Sequence, residues 1–333
     1  MKNSFYKYSR AFVCAILLAS LVTACKSDPV PAPTEEVKTK RRKVPKFDQE
    51  KAYQNIEAQV NFGPRYPGTD AHKKLTKYLT AELGKYTDKV VEQDFVVDFL
   101  DEKNVNATNI IGIINPNVKK RILLGAHFDT RKIAEKDEDP AMQNKPILGA
   151  DDGGSGVGVL LEIARIIKES GIDIGIDIIL FDAEDNGDDG TGWCLGSEHW
   201  AKNPHIKNYK ADFGILVDLV GAKNAEFGKE ENSMNGAGTY VNKIWQLADR
   251  MSYSNYFINM SPGPVMDDHV NVMLFRKIPM VDIINMSRQN DREGFGHYHH
   301  THDDNMDIID KNTLRAVGKV VTATIYNYNN GTF

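Results

Sequence analysis

Stretches that are apolar every third or fourth residue alternate along the chain with stretches that are apolar almost throughout. This alternation predicts the elements. Residues 47–61 place Ala52, Ile56 and Val60 at helical spacing. The breaker Phe62-Gly63-Pro64-Arg65-Tyr66-Pro67-Gly68 follows, and residues 71–83 form a second helix. Residues 90–99 read as extended, and residues 108–114 and 121–126 are β-branched runs bounded by turn residues, hence strands. Residues 155–168 are apolar nearly all round, so that helix must be covered on most sides. Residues 172–181 predict a strand in mid-sheet, with further strands at 212–217 and 280–284 and a helix at 240–252. Residues 311–328 form a closing helix with Leu314, Val317, Val321 and Ile325 on one face. Strands alternating with helices predict an α/β fold, a largely parallel central sheet with helices on both faces.

The first residues do not fit this scheme. Lys2, Lys7 and Arg10 precede an apolar stretch from Ala11 to Val22, too short to span a bilayer comfortably. It ends in Val22-Thr23-Ala24-Cys25, which resembles a bacterial lipobox, with an ordinary signal peptide or an uncleaved anchor as the alternatives. The reading is a lipoprotein signal over residues 1–24, lipidation of Cys25, and a catalytic domain in the periplasm tethered to an envelope membrane. Residues 25–46 hold Pro29, Pro31, Pro33 and Pro45 and a basic run at 38–43, a composition suited to a flexible tether. Residues 47–333 are then one catalytic domain. Of three cysteines only Cys194 falls in it, so an internal disulfide is excluded. Cys194 is read as a small buried apolar residue. The net charge of -5 offers nothing to nucleic acid, and the Cys25 lipid is the one expected membrane contact.

Three segments carry the chemistry, each at the end of an apolar run. They are Gly149-Ala150-Asp151-Asp152-Gly153-Gly154, Phe181-Asp182-Ala183-Glu184-Asp185 and Tyr298-His299-His300-Thr301-His302-Asp303-Asp304. In parallel sheets, sites gather at the carboxyl ends of strands. His127, Asp129, Glu184, Asp185 and Asp218 obey that rule. Asp152, Asp185 and His300 offer two carboxylates and an imidazole, a plausible set for a catalytic zinc with one position open. Helix capping is the other use for Asp151 and Asp152. A solvated acidic loop is the other reading of Glu184 and Asp185, and a surface histidine tract that of residues 297–302.

The segments Gly125-Ala126-His127-Phe128-Asp129-Thr130, Gly149 to Gly154, Phe181 to Asp185 and His300-Thr301 resemble the zinc aminopeptidase superfamily. Within it the chain is most similar to glutaminyl cyclases, through Leu195-Gly196-Ser197-Glu198-His199, Val217-Asp218-Leu219-Val220-Gly221-Ala222, Asp267-Asp268-His269 and His300-Thr301-His302-Asp303-Asp304-Asn305. The resemblance implies a three-layer sandwich on a mostly parallel, mixed sheet. It implies conversion of amino-terminal glutamine of peptides or proteins to pyroglutamate, with release of ammonia and one zinc ion per chain. By position, Asp152, Asp185 and His300 would be the zinc ligands and Glu184 the general base and acid. Asp218 and Asp267 would hold the amine and share a proton network, and Trp193 and His299 would wall the substrate pocket. Animal cyclases have Glu-Glu where this chain has Glu184-Asp185, and Trp where it has His299. The rival implication is a two-zinc aminopeptidase, in which the residues matching His127 and Asp218 bind a second ion and Asp152 bridges.

Overall fold

The computed structural model describes residues 41–188, 190–286 and 294–333. The signal sequence and Cys25 lie outside the described residues. Helix α1 (Gln49–Val60) starts at Asp48, whose carboxylate accepts from the N–H groups of Glu50 and Lys51. Helix α2 (Asp70–Tyr86) starts at Thr69 in the same way, its hydroxyl accepting from His72 N. A β-hairpin follows, β1 (Lys89–Phe99) and β2 (Glu102–Ile114). Then come β3 (Arg121–His127), α3 (Gly154–Ser170) and β4 (Gly175–Phe181). After them lie α4 (Leu195–Lys202), β5 (Phe213–Asp218) and α5 (Glu231–Arg250). The chain closes with α6 (Asp268–Asn271), β6 (Met280–Ile284) and α7 (Lys311–Asn329).

The six strands run in the order β1-β2-β4-β3-β5-β6. Strands β4, β3, β5 and β6 are parallel, and β1 and β2 add an antiparallel edge. The mixed sheet and its two helical layers agree with the expected three-layer α/β fold. Every residue of β3, β4, β5 and β6 is buried, as a sheet covered on both faces requires. Ile122, Leu124, Ile176, Ile178, Ile215 and Val217 pack on the face of α1, α3 and α7. Leu123, Ile179, Phe181, Leu216 and Met280 pack with Trp200 of α4 on the other. Alternation along each strand therefore sends His127 and Asp218, the last residues of β3 and β5, to the α4 side.

Helix α3 is buried at nearly every position, as its composition demanded. Each fully buried Val, Leu or Ile there contributes roughly 1.5–3 kcal/mol relative to exposure. Its contact with β5 depends on Gly156, where a Cβ would lie 2.1 Å from the Val217 carbonyl oxygen.

Several boundaries differ from the sequence reading. Helix α5 begins at Glu231 rather than 240. Gly236 and Gly238 flank a kink at Ala237 (φ -139°, ψ 20°) and hide the periodicity of its first turns. Strand β2 begins at Glu102, because hairpin pairing with β1 recruits polar residues that no apolar pattern marks. Helix α4 was not foreseen; it is eight residues long. Residues 41–333 form one compact unit. Within the stretch read as tether, Arg42 is fastened: Nε and Nη2 donate to Asp173 at 2.8 and 2.6 Å, and its N–H donates to Asn330 at 3.0 Å. Among the described residues no helix is long and apolar enough to cross a membrane.

Candidate functional site

At the carboxyl ends of the parallel strands a cavity of about 280 Å³ opens. All eight residues expected in the active site line it: Asp152, Glu184, Asp185, Trp193, Asp218, Asp267, His299 and His300. The turn before α3 brings in Asp152. Gly153 there has φ +80°, and a Cβ would sit 2.5 Å from the Asp129 carbonyl oxygen. Neither aspartate of the pair caps α3, whose N-cap is Gly153 and carries no side-chain bond. Instead Asp151 is fastened by Gly221 N and the Tyr298 hydroxyl, and Asp152 is left to the cavity. Buried Arg65, from the Gly-Pro breaker, donates to the carbonyls of Phe128, Leu148 and Gly149 and so shapes the same turn. Asp304 accepts from the N–H groups of Asp151 and Asp152.

His300 is the hub of one half of the pocket. Its Nε2 lies 3.0 Å from Asp185 Oδ1 and 3.8 Å from Asp152 Oδ2. Its Nδ1 meets Glu135 Oε1 at 2.6 Å, which places the proton on Nδ1 and frees Nε2 to bind a cation. Asp185 Oδ2 is buried with no hydrogen-bond partner, a second free donor atom in the same place. Two carboxylates and an oriented imidazole fit zinc. Burial works against a charge on His300, but Asp185, Glu135 and Asp152 outweigh it and push its pKa up to about 9. Burial also opposes charge on Glu135, yet His300 and Arg131 hold it down at about 2. Burial and the nearby Asp152 raise Asp185 to about 6. The site therefore favours a positive charge at Nε2. His300 itself sits at φ +58°, a left-handed conformation that the surrounding structure must enforce.

His299 could compete with His300 as a ligand, since its Nε2 also lies 3.8 Å from Asp152 Oδ2. Its Nδ1, however, faces the Lys136 ammonium at 3.1 Å and must accept from it. Burial and the neighbouring His300 hold His299 neutral, so its proton is on Nε2, which then cannot ligate. The ring instead stacks between Phe295 (4.1 Å) and His300 (3.8 Å) as a wall. Trp193 stacks on His300 at 6.0 Å, with the Arg131 guanidinium 4.5 Å over its ring.

His127 is the hub of the other half. Its Nε2 lies 3.0 Å from Asp218 Oδ1 and 3.2 Å from Asp152 Oδ1. Its Nδ1 faces Asp129 at 3.6 Å and Glu184 at 3.9 Å and makes no hydrogen bond. Burial is outweighed by Asp218, Asp129 and Asp152, which raise His127 well above its ordinary range. Burial lifts Asp218 to about 7 against the pull of His127. Glu184 keeps a partly exposed carboxylate, and burial together with Asp185 and Asp267 raises its proton affinity well above normal. Its backbone N–H donates to Asp129 Oδ1 at 3.0 Å. Asp267 caps α6, with its Oδ2 unpartnered.

Sequence reasoning missed Glu135, Lys136 and Arg131. They belong to residues 128–153, a connection without periodicity, and a charged run there reads like any solvated loop. Cys194 is buried as expected, but it also contacts the site, its Sγ donating to Glu184 Oε1 at 3.1 Å.

Residues 109–325 match the model of peptidase family M28. The crystal structure of a Zn-dependent exopeptidase from Parabacteroides distasonis superposes with a TM-score of 0.84 at 46% identity, covering 86% of this chain and 100% of that one. The glutaminyl cyclase of Tannerella forsythia superposes with a TM-score of 0.83 at 47% identity, covering 85% and 99%. The glutaminyl-peptide cyclotransferase of Bothrops jararaca is 24% identical over 299 residues, 80% of this chain and 78% of that protein. The chain belongs to peptidase family M28.

Proposed function

We propose that this protein is a zinc-dependent glutaminyl cyclase that converts amino-terminal glutamine of peptides or proteins to pyroglutamate and releases ammonia. The observation that carries the reading is a contrast within one pocket. One imidazole is oriented as a ligand, and a partly exposed carboxylate of raised proton affinity stands beside it as a base. The similarity to the Tannerella forsythia and Bothrops jararaca enzymes supports the same conclusion.

Asp152, Asp185 and His300 would hold the ion, one per chain. When bound there, zinc supplies Lewis acidity to the oxygen of the γ-amide. Glu184 takes a proton from the substrate's α-amine, and that nitrogen attacks the side-chain amide carbon. A carbon–nitrogen bond closes the ring. Glu184 returns the proton to the amide nitrogen, its bond to carbon breaks, and ammonia leaves. A carboxylate with a raised pKa suits both halves of that exchange. Asp218 and Asp267 present oxygens that orient the amine. Trp193 and His299 give flat walls for a planar amide. Leu219, Val265, Ile284 and Phe295 complete an apolar lining that disfavours water, which would otherwise yield glutamate. The attack is intramolecular, so holding the side chain folded toward its amine supplies much of the rate. The lipid on Cys25 and the periplasmic location belong to the same proposal; radiolabelled fatty acid should enter the wild type and not Cys25→Ala.

A second reading is a two-zinc aminopeptidase. It is favoured by Asp152, whose Oδ1 faces His127 and whose Oδ2 faces His300, as a bridging carboxylate would. Incubation with a Gln-peptide and with amino-acid amides separates the two. Ammonia with a ring-closed peptide supports the cyclase, and a released amino acid supports the peptidase and contradicts it.

A further inference from the structure

His72 lies in the first turn of α2, away from the cavity, and nothing in the proposed reaction uses it. Its ring is buried and stacked on Phe128, with centroids 5.6 Å apart. Its Nε2 lies 2.9 and 2.8 Å from the two oxygens of Asp182, a residue with no exposed surface. Asp182 Oδ1 also accepts from Ala183 N at 2.8 Å, and Oδ2 from Thr108 N at 2.6 Å. Its other partners are both donors, so the carboxylate is ionised and the His72 nitrogen carries the proton.

The next residue, Ala183, has φ +54°. For a residue with a Cβ this left-handed conformation is strained and must be held in place. It turns the chain so that Glu184 and Asp185 leave β4 into the pocket. Downstream the turn is held by Asp129, which accepts from Glu184 N and Asp185 N at 3.0 and 3.3 Å. Upstream the Asp182 carboxylate holds it, and His72 is the only side chain donating to that carboxylate among the described residues.

We propose that His72 is a positioning residue. Acting through Asp182, it keeps Ala183 left-handed and thereby aims the base Glu184 and the ligand Asp185. The proposal rests on the assignment of Glu184 as base and not on which product forms. His72→Phe keeps the stack on Phe128 and deletes the donor. His72 also lines a cavity of about 410 Å³, which leaves the larger phenylalanine ring room to settle. The expected result is a fall in kcat of about 10- to 100-fold, with KM within about twofold of wild type. Adding Ala183→Gly should recover at least about half of that loss on a logarithmic scale, because glycine adopts the same φ without penalty. His72→Gln, which restores an N–H donor, should lie between wild type and His72→Phe.

Rates are compared on whichever product the wild type releases. A wrong product in the wild type overturns the cyclase reading, and only the ratio of variant to wild type bears on His72. A folded His72→Phe with wild-type kcat overturns the proposal. So does a loss equal to the unfolded fraction, or a loss that Ala183→Gly leaves untouched. Failure of both His72→Phe and His72→Gln to fold would make the residue a stability element and equally overturn it.

Discussion

The pocket has two halves built from the same parts, and they differ in what stands behind each imidazole. His300 and His127 each face two carboxylates with Nε2, and Asp152 serves both. Behind His300, Glu135 fixes the ring at 2.6 Å. Behind His127, the nearest carboxylate is Asp129 at 3.6 Å, and Nδ1 is left without a hydrogen bond. A metal-binding histidine is ordinarily oriented by a bond to its far nitrogen. The His300 half is therefore prepared for a cation. The His127 half, with Asp218 raised to about 7 and Glu184 raised beside it, is prepared to hold and exchange protons.

The largest effect that would sharpen this contrast is at Glu184. Glu184→Gln should lower kcat by about 10²- to 10⁴-fold while zinc content stays at the wild-type level. Preserved turnover would remove the residue from its role. Next comes Glu135→Gln, which should weaken zinc binding by roughly 10- to 100-fold, read as the chelator concentration that halves activity. Asp129→Asn, behind the other imidazole, should shift that concentration less, because it reaches the ligand Asp185 only through the backbone N–H. An equal shift in both variants would erase the distinction between the halves.

A pH profile probes the proton half. Glu184 must be ionised to accept the amine proton, so activity falls as pH drops through its raised pKa. The acid limb of kcat/KM should lie above the ordinary carboxylate range of about 4.3; a limb at or below that value would contradict the assignment. Stability also falls with pH at Glu135, but over a lower window, because its pKa is lowered to about 2. Its contribution is present above the ordinary value and fades as pH falls toward about 2. Glu135→Gln should flatten acid denaturation over that window, measured by circular dichroism. The smallest effect is at Trp193, where loss of the aromatic wall in Trp193→Ala should raise KM by about 2- to 12-fold, the equivalent of about 0.5–1.5 kcal/mol.

Much of the site was visible in the order of residues because strand ends are. Apolar runs ending in His127, Asp218 and the Asp182 to Asp185 segment announce side chains delivered to one edge of a sheet. Asp152 was readable through the glycines around it, which exist to make its turn. Choosing His300 among four histidines was not possible from composition and came from resemblance. Glu135, which makes that choice physically sensible, sits in an irregular connection and gains meaning only when the chain folds back to bring it to a residue 165 positions away. His72 was invisible for a related reason. In a helix it is one polar residue on a mixed face, and its bond to Asp182 spans 110 residues.

The most direct test of the account is the zinc content of the purified, dialysed protein by elemental analysis. The account predicts one ion per chain in the wild type and none in His300→Ala. Two ions per chain in the wild type, or one retained in His300→Ala, would contradict it.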